Sequence, residues 1–140
     1  MKEKEIEGIL DINGTGSGYL LMPEDEKDIY IFKKNLGQGL HGDRVKIITI
    51  PGKQPGTTEG KVMEVIERNR TEFVGILSLH KKYGFVIPDS KTMHKDIFIP
   101  IEKCEGYEHG EKVVARLTEW FSKAKNPNGK IVKSLGFPGS

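Results

Sequence analysis

Short runs of β-branched and aromatic residues alternate with turn-forming clusters along all 140 residues of the chain. No stretch keeps a helical period over three turns, so the pattern predicts strands joined by turns. At most a single turn of helix fits Lys33–Gly39 and Ile101–Gly106. The predicted strands are residues 7–12, 18–22, 28–32, 44–50, 60–67, 73–79, 83–88, 96–99, 112–120 and 129–135.

The same sequence blocks occur twice in the same order. Glu7-Gly8-Ile9-Leu10 returns as Val74-Gly75-Ile76-Leu77, and Asp28-Ile29-Tyr30-Ile31 returns as Asp96-Ile97-Phe98-Ile99. Three further blocks repeat between and after these, at nearly the same spacing. Because repetition in a fixed order indicates a duplicated structural unit, we predict two domains, at residues 1–68 and 71–140.

Each predicted domain has five strands in about 65 residues, and a sheet this small has to protect its edges. Closing the sheet into a barrel removes the edges altogether. The sequence therefore predicts an all-β protein made of two tandem five-stranded β-barrels of the OB or cold-shock type. An SH3-like barrel is the alternative that the strand pattern leaves open.

The strand at residues 83–88 carries the most informative side-chain pattern. Alternate residues on a strand share a face, so Tyr83, Phe85 and Ile87 point one way. If this strand pairs antiparallel with the strand at 96–99, the core takes Val86, Ile97 and Ile99. The outer face then gathers Tyr83, Phe85 and Phe98, with Lys81 and Lys82 at its margin.

Exposed aromatic rings beside lysines form a platform on which bases stack while the ammonium groups attract phosphates. The rings therefore predict a surface that binds single-stranded nucleic acid, and the pattern leaves RNA and DNA open. The competing interpretation is that these aromatics belong to the core, as most strand aromatics do.

Charge and composition change this picture little. The net charge of +2 is small, but residues 1–70 carry a formal charge of −1 and residues 71–140 carry +3. No apolar run approaches the ~20 residues that span a bilayer, and the single cysteine, Cys104, excludes an internal disulfide. We expect a cytoplasmic, monomeric protein that makes no membrane contact.

Two motifs also carry a family resemblance. Lys82-Tyr83-Gly84-Phe85-Val86 resembles the first RNA-binding motif of cold-shock domains, and Ile97-Phe98-Ile99 resembles the second. Together with the Arg68-Asn69-Arg70 junction, the paired repeat resembles the N-terminal half of bacterial ribonuclease R, in the ribonuclease II family. That resemblance implies a pair of cold-shock domains that feed RNA into a 3′-to-5′ exoribonuclease domain.

By the same resemblance, this chain is a non-catalytic fragment without a cofactor of its own. Magnesium would belong to the C-terminal catalytic domain of the parent chain, which is missing from these residues. Two other functions stay open at this point. One is a free-standing RNA chaperone of the cold-shock type, and the other is a tandem-barrel protein-interaction module whose aromatic faces meet a partner protein.

The first copy departs from the motif. Ser17 stands where the first aromatic would be, and Phe32 and Pro100 occupy the place of the cold-shock histidine in the two copies. An extra residue in the run 18–23 predicts a β-bulge or a register slip. We therefore expect a poorer stacking surface on the first domain, and its RNA-binding candidates are Tyr19, Tyr30, Lys33 and Lys34. Phe32, which precedes these two lysines, is a further residue that RNA could contact.

Other signals carry no predicted chemistry. The four histidines lack zinc-ligand spacing, and no residue is a catalytic candidate. Cys104 is expected to be buried or merely reactive. Trp120-Phe121 either extends the aromatic surface or packs internally. Gly42 and Gly110 each precede a strand, which indicates a turn with positive φ.

Overall fold

The protein is built from ten strands and two single-turn helices, as a computed structural model that describes residues 4–139 shows. The chain divides into two units after Arg70. The first unit contains β1 (Glu5–Ile12), β2 (Gly18–Leu20), β3 (Ile29–Ile31), β4 (Arg44–Pro51) and β5 (Thr58–Glu67). The second contains β6 (Glu72–Leu79), β7 (Tyr83–Pro88), β8 (Ile97–Pro100), β9 (Lys112–Glu119) and β10 (Asn128–Gly136). The predicted helical turns are 3-10 turns at Lys33–Asn35 and Ile101–Lys103.

Each unit is a closed barrel with the same strand order. In the first unit β1 pairs antiparallel with both β2 and β4, and β3 pairs parallel with β5. In the second unit β6 pairs antiparallel with both β7 and β9, and β8 pairs parallel with β10. This order is that of an OB-fold, so the all-β prediction of two five-stranded barrels is confirmed and the SH3-like alternative is wrong.

The barrel interiors are filled by side chains from alternate strand positions. The first core consists of Leu10, Ile12, Leu20, Ile31, Leu36, Val45, Ile47 and Val62. The buried apolar residues of the second unit include Phe73, Leu77, Val86, Ile97, Ile99, Val113 and Ala115. These interiors are mainly aliphatic, so most of the aromatic side chains lie outside the barrels.

Glycines lie where each barrel closes. The parallel contact of the first barrel pairs Ile31 with Gly60, and that of the second pairs Phe98 with Asn128, the residue before Gly129. A Cβ atom on Gly129 would lie 2.6 Å from Ile97 Cγ2 and 2.8 Å from the Arg116 carbonyl oxygen. The absence of a side chain here lets the neighbouring strands approach closely enough to close the barrel.

The turns before β4 and β9 each bury an acidic side chain, which the sequence did not reveal. Gly42 and Gly110 have φ of +85° and +87°, as predicted. After Gly42, the Asp43 carboxylate is fully buried and accepts hydrogen bonds from the Leu40 and Asn69 backbone N–H groups. It also pairs with the Arg68 guanidinium at 2.6 Å. This contact holds the end of the first unit against its own barrel.

The bulge or register slip predicted for the second strand is wrong. The pairing of β2 with β1 and β3 runs from Gly18 to Leu20 without a shift in register, and the extra residue lies beyond the paired segment. The register shifts occur instead in the β4–β5 and β9–β10 pairs. These are the long strands, and bulges let a long strand bend around a small barrel.

Gly129→Ala should destabilise the second barrel because the added methyl group meets a packed side chain and the backbone of β9. Overpacking of this kind costs about 1–3 kcal/mol. Urea unfolding followed by the fluorescence of Trp120, the single tryptophan of the chain, measures the effect. Gly14→Ala is the control, because a Cβ there meets no atom within 4 Å. Equal stability of the two variants would contradict this account of barrel closure.

The Glu111 carboxylate makes the second barrel less stable at acid pH than at neutral pH. Hydrogen bonds from the Ser134 hydroxyl and the Glu108 backbone N–H lower the pKa of Glu111 below its ordinary value of 4.5. Because the folded state favours the ionised form, this stabilisation is present above pH 4.5 and is lost as pH falls through the folded-state pKa.

Glu111→Gln should therefore flatten the fall in unfolding free energy at pH values below 4.5. The same urea titration, repeated from neutral pH downwards, checks this. Glu105→Gln, in the exposed turn that follows the Ile101–Lys103 helix, is the charge-matched control and should keep the parent's pH dependence. A Glu111→Gln protein as acid-sensitive as the parent would show that the carboxylate contributes nothing.

Candidate nucleic-acid interface

Three aromatic rings meet on the outer face of the second barrel. In the antiparallel β7–β8 pair, Phe85 lies opposite Phe98 and Tyr83 lies opposite Pro100. The Tyr83 and Phe98 rings stack with centroids 6.0 Å apart, and Phe85 meets them edge-on at 5.5 and 5.7 Å. Tyr83 is 37% exposed, and the other two rings are half-buried.

The alternation of side chains explains why the rings face outward. Val86, Ile97 and Ile99 point into the barrel and are fully buried. Their neighbours along each strand must then point to the opposite face. The arrangement of these six residues is the one that the sequence predicted.

A histidine that the sequence analysis did not single out extends this group. The His80 ring stacks on Tyr83 with centroids 4.8 Å apart and an interplanar angle of 23°. Its backbone N–H donates to the Tyr83 carbonyl at 2.8 Å, so the two residues face each other across the connection between β6 and β7. Counting forward two positions from Ser78, which pairs with Phe85, reaches His80 just after the end of β6 and places it on this face. We call His80, Tyr83, Phe85 and Phe98 the second-barrel platform.

The predicted lysines lie beside the platform. Lys81 and Lys82 form the exposed two-residue connection between His80 and Tyr83. Ile87, on the same face as Tyr83 and Phe85, is 47% exposed. The outer face of the second barrel therefore combines stacked rings, an apolar extension and two adjacent positive charges.

The corresponding face of the first barrel has its own pair of rings. Tyr19 lies opposite Tyr30 in the β2–β3 pair, and their rings meet edge-on at 5.4 Å. The Tyr30 hydroxyl lies 3.2 Å from the Ser17 hydroxyl. Asp11 lies opposite Tyr19 on β1, and its carboxylate is 3.5 Å from His41 Nδ1.

Lysines gather at the end of β3 in the same barrel. Lys53 Nζ lies 4.6 Å from the centroid of the Phe32 ring, and Lys34 Nζ lies 5.9 Å from it. The aliphatic part of Lys33 runs close to Gly16, in the turn before β2. Of these side chains, sequence reasoning selected Lys33 and Lys34 but missed Lys53, because its loop is distant in sequence.

The remaining candidates are the cysteine and the Trp120-Phe121 pair. Cys104 is buried, and burial, followed by the nearby Glu102 carboxylate, raises the pKa of its thiol. A raised pKa disfavours the reactive thiolate. Trp120 donates its indole N–H to the Ala124 carbonyl within the loop between β9 and β10, and the Phe121 side chain is 58% exposed.

Among residues 4–139, no three His, Cys, Asp or Glu side chains are arranged to hold a metal ion. That same span contains no helix of the length and apolarity needed to cross a membrane.

Two family profiles match the chain, one on each barrel. The profile of the ribonuclease B OB domain matches residues 8–65, and that of the cold shock domain matches residues 85–140. Ribonuclease R of Thermotoga maritima is 32% identical over 127 residues, which are 89% of this chain and 18% of the relative. The chain therefore spans under a fifth of that protein's length.

Solved structures share the fold at low identity. Yeast Ssd1, described as a pseudonuclease, superposes with a TM-score of 0.83 at 19% identity, covering 97% of this chain and 23% of Ssd1. Mycoplasma genitalium RNase R, in complex with ribose methylated single-stranded RNA, gives a TM-score of 0.80 at 17% identity, covering 94% of this chain and 22% of the other. With one profile on each barrel and these relatives, the chain belongs to the N-terminal OB-domain region of ribonuclease R-like proteins.

Proposed function

We propose that this chain binds single-stranded RNA, chiefly through the second-barrel platform. The observation that carries the proposal is the group of four rings on one outer face, each within 6.0 Å of another and adjacent to Lys81 and Lys82. Every base has a flat π-face, so such a surface binds unpaired nucleotides with little dependence on sequence. The lysines contribute phosphate attraction.

The family supports RNA as the ligand. The relatives matched by sequence are ribonuclease R proteins, and one solved structure of the same fold is an RNase R bound to single-stranded RNA. Within a parent protein of this kind, the two barrels would hold RNA and deliver it to a separate exoribonuclease domain. A cytoplasmic location and a monomeric state remain predictions that accompany this role.

Exposed aromatic rings could bind either RNA or a partner protein. The adjacent lysines distinguish the two, because only RNA carries phosphates for them to bind. When lysines bind the phosphates of RNA, counterions are released from the RNA, and their release is less favourable at higher salt concentration. The affinity therefore falls with salt, and the logarithm of the binding constant decreases against the logarithm of the salt concentration with a slope of about −0.7 per phosphate contacted on a single strand. An apolar protein contact is much less sensitive to salt. Salt dependence is therefore the property to measure.

Removing the three strand rings should weaken RNA binding. A fluorescein-labelled oligouridylate of about 12 nucleotides lies within the roughly 4–16 nucleotides that one OB-fold covers. We expect its anisotropy to show saturable binding that weakens with salt. The variant carrying Tyr83→Ala, Phe85→Ala and Phe98→Ala, called the platform-deleted variant, should bind at least about tenfold more weakly, because each stacked base contributes about 1–3 kcal/mol.

Phe137→Ala is the matched control, since this ring is 43% exposed but lies beyond β10 and outside the platform. Circular dichroism and thermal unfolding establish that each variant is folded. If the folded platform-deleted variant bound RNA as tightly as the parent, the platform would not be the binding surface. Binding that is insensitive to salt would contradict the role of the lysines.

We further propose that this chain does not hydrolyse RNA by itself. Both matched profiles are barrel domains, and the two barrels take up residues 5–136. A labelled RNA incubated with the purified chain and magnesium should keep its full length in a gel time course. A parallel reaction with a chelator controls for contaminating nuclease. The proposal would be overturned if the RNA were shortened in the presence of magnesium, if this activity remained after further purification of the chain, and if the platform-deleted variant lacked it.

A further inference from the structure

A histidine lies at the same register position in the two barrels. His41 and His109 each come directly before one of the glycines with positive φ that precede β4 and β9. Extending the register of β1 with β4 by a few residues places residue 41 opposite Ile12. Extending the register of β6 with β9 places residue 109 opposite Leu79 in the same way. Ile12 and Leu79 are the last residues of β1 and β6, so each histidine faces the end of a strand.

The imidazole rings act as hydrogen-bond acceptors for these strand ends. The Ile12 backbone N–H donates to His41 Nδ1 at 2.9 Å, and the Leu79 backbone N–H donates to His109 Nδ1 at 3.0 Å. Such a bond requires that the ring carry its hydrogen on Nε2, which leaves Nδ1 free to accept. Each ring therefore supplies one more acceptor to the strand, beyond the last bond that the backbone of the neighbouring turn provides.

The backbone bonds beside the two rings are also the same. In the second barrel the Leu77 N–H donates to the Glu111 carbonyl at 2.9 Å, and the Gly110 N–H donates to the Leu77 carbonyl at 2.8 Å. In the first barrel Leu10 makes the corresponding two bonds, at 2.9 and 2.7 Å, with the residues that follow His41. Because all three bonds recur in both copies, the histidine bond belongs to the duplicated unit and is not an accident of one loop.

In the second barrel this bond lies at the base of the connection that borders the platform. Leu79 is followed directly by His80, whose backbone N–H donates to the Tyr83 carbonyl and whose ring stacks on the Tyr83 ring. The two lysines beside the platform lie between these residues. Since successive N–H groups of a strand point to opposite sides, the His109 bond holds the Leu79 peptide from the side away from β7. The start of the connection is thereby held on both sides.

The first barrel offers a comparison without these side chains. The strand end that His41 holds leads into the turn at residues 13–17, which contains no aromatic residue and no lysine. The same hydrogen bond is therefore present in both barrels, but only in the second does it support rings and positive charges.

We propose that His109 is a positioning residue for RNA binding, which acts by holding the connection between β6 and β7. That connection contains one ring of the platform, His80, and both adjacent lysines. A connection that is already ordered spares RNA binding the entropic cost of ordering it. The proposal rests on the proposed function, since it concerns the same surface and the same ligand.

Removing the acceptor should weaken RNA binding, and an acceptor restored at the same place should recover it. His109→Leu removes Nδ1 and keeps a branched side chain. His109→Asn keeps an acceptor there, because the amide oxygen is bonded to Cγ as Nδ1 is. We expect His109→Leu to bind the labelled oligouridylate roughly three- to tenfold more weakly than the parent, the range that one net hydrogen bond supplies. His109→Asn should bind as the parent does.

Amide hydrogen exchange, followed by NMR in the absence of RNA, reports on the bond itself. The Leu79 amide should exchange faster in His109→Leu than in the parent, and at the parent's rate in His109→Asn. His41→Leu is the matched control, because it removes the same bond from the first barrel. It should speed exchange at Ile12 only and leave the RNA affinity close to that of the parent.

Circular dichroism and thermal unfolding establish that each variant is folded. The positioning role is overturned if folded His109→Leu binds RNA as tightly as the parent, or if His109→Asn binds as weakly as His109→Leu. It is also overturned if His41→Leu weakens RNA binding as much as His109→Leu does.

The two proposals fail differently. A parent chain that does not bind RNA at any salt concentration would overturn the proposed function and the positioning role together. A parent chain that loses its RNA binding in the platform-deleted variant, but not in His109→Leu, would overturn the positioning role alone.

Discussion

The parallel contact between the third and fifth strands is the constraint on which each barrel depends. It is short, a single pair in each unit, Ile31 with Gly60 and Phe98 with Asn128. Closure at this point leaves an interior of limited width, which aliphatic side chains fill. Because successive strand residues point to opposite sides, filling the interior with Val86, Ile97 and Ile99 leaves Phe85 and Phe98 on the outside. The aromatic surface is thus a consequence of how the core is packed.

One scaffold therefore carries two surfaces of different charge. The second barrel places rings beside Lys81 and Lys82, whereas the first places them between Asp11 on one side and a group of lysines on the other. The difference arises from residues outside the core, so it does not alter the barrel.

The buried acids show how the same backbone turn is stabilised in two ways. Asp43 is satisfied by backbone N–H groups and by the Arg68 guanidinium, while Glu111 is satisfied by Glu108 and Ser134. Breaking a buried pair such as Asp43–Arg68 leaves an uncompensated charge and costs about 3–5 kcal/mol. The Arg68-Asn69-Arg70 segment, which identifies the family in sequence, is therefore also part of the first barrel's structure.

The sequence by itself determined the duplicated unit, the strands, the inward residues and the cluster of Tyr83, Phe85 and Phe98. Periodicity along a strand is local, so it is legible without coordinates. The tertiary structure decided what depends on residues that are distant along the chain. It brought Lys53 to Phe32 and buried Asp43 against Arg68. It also set the geometry of the tight connection in which His80 stacks on the nearby Tyr83. Such contacts form only in the folded barrel, because a position in a sheet is defined by its cross-strand neighbour as well as by its own strand.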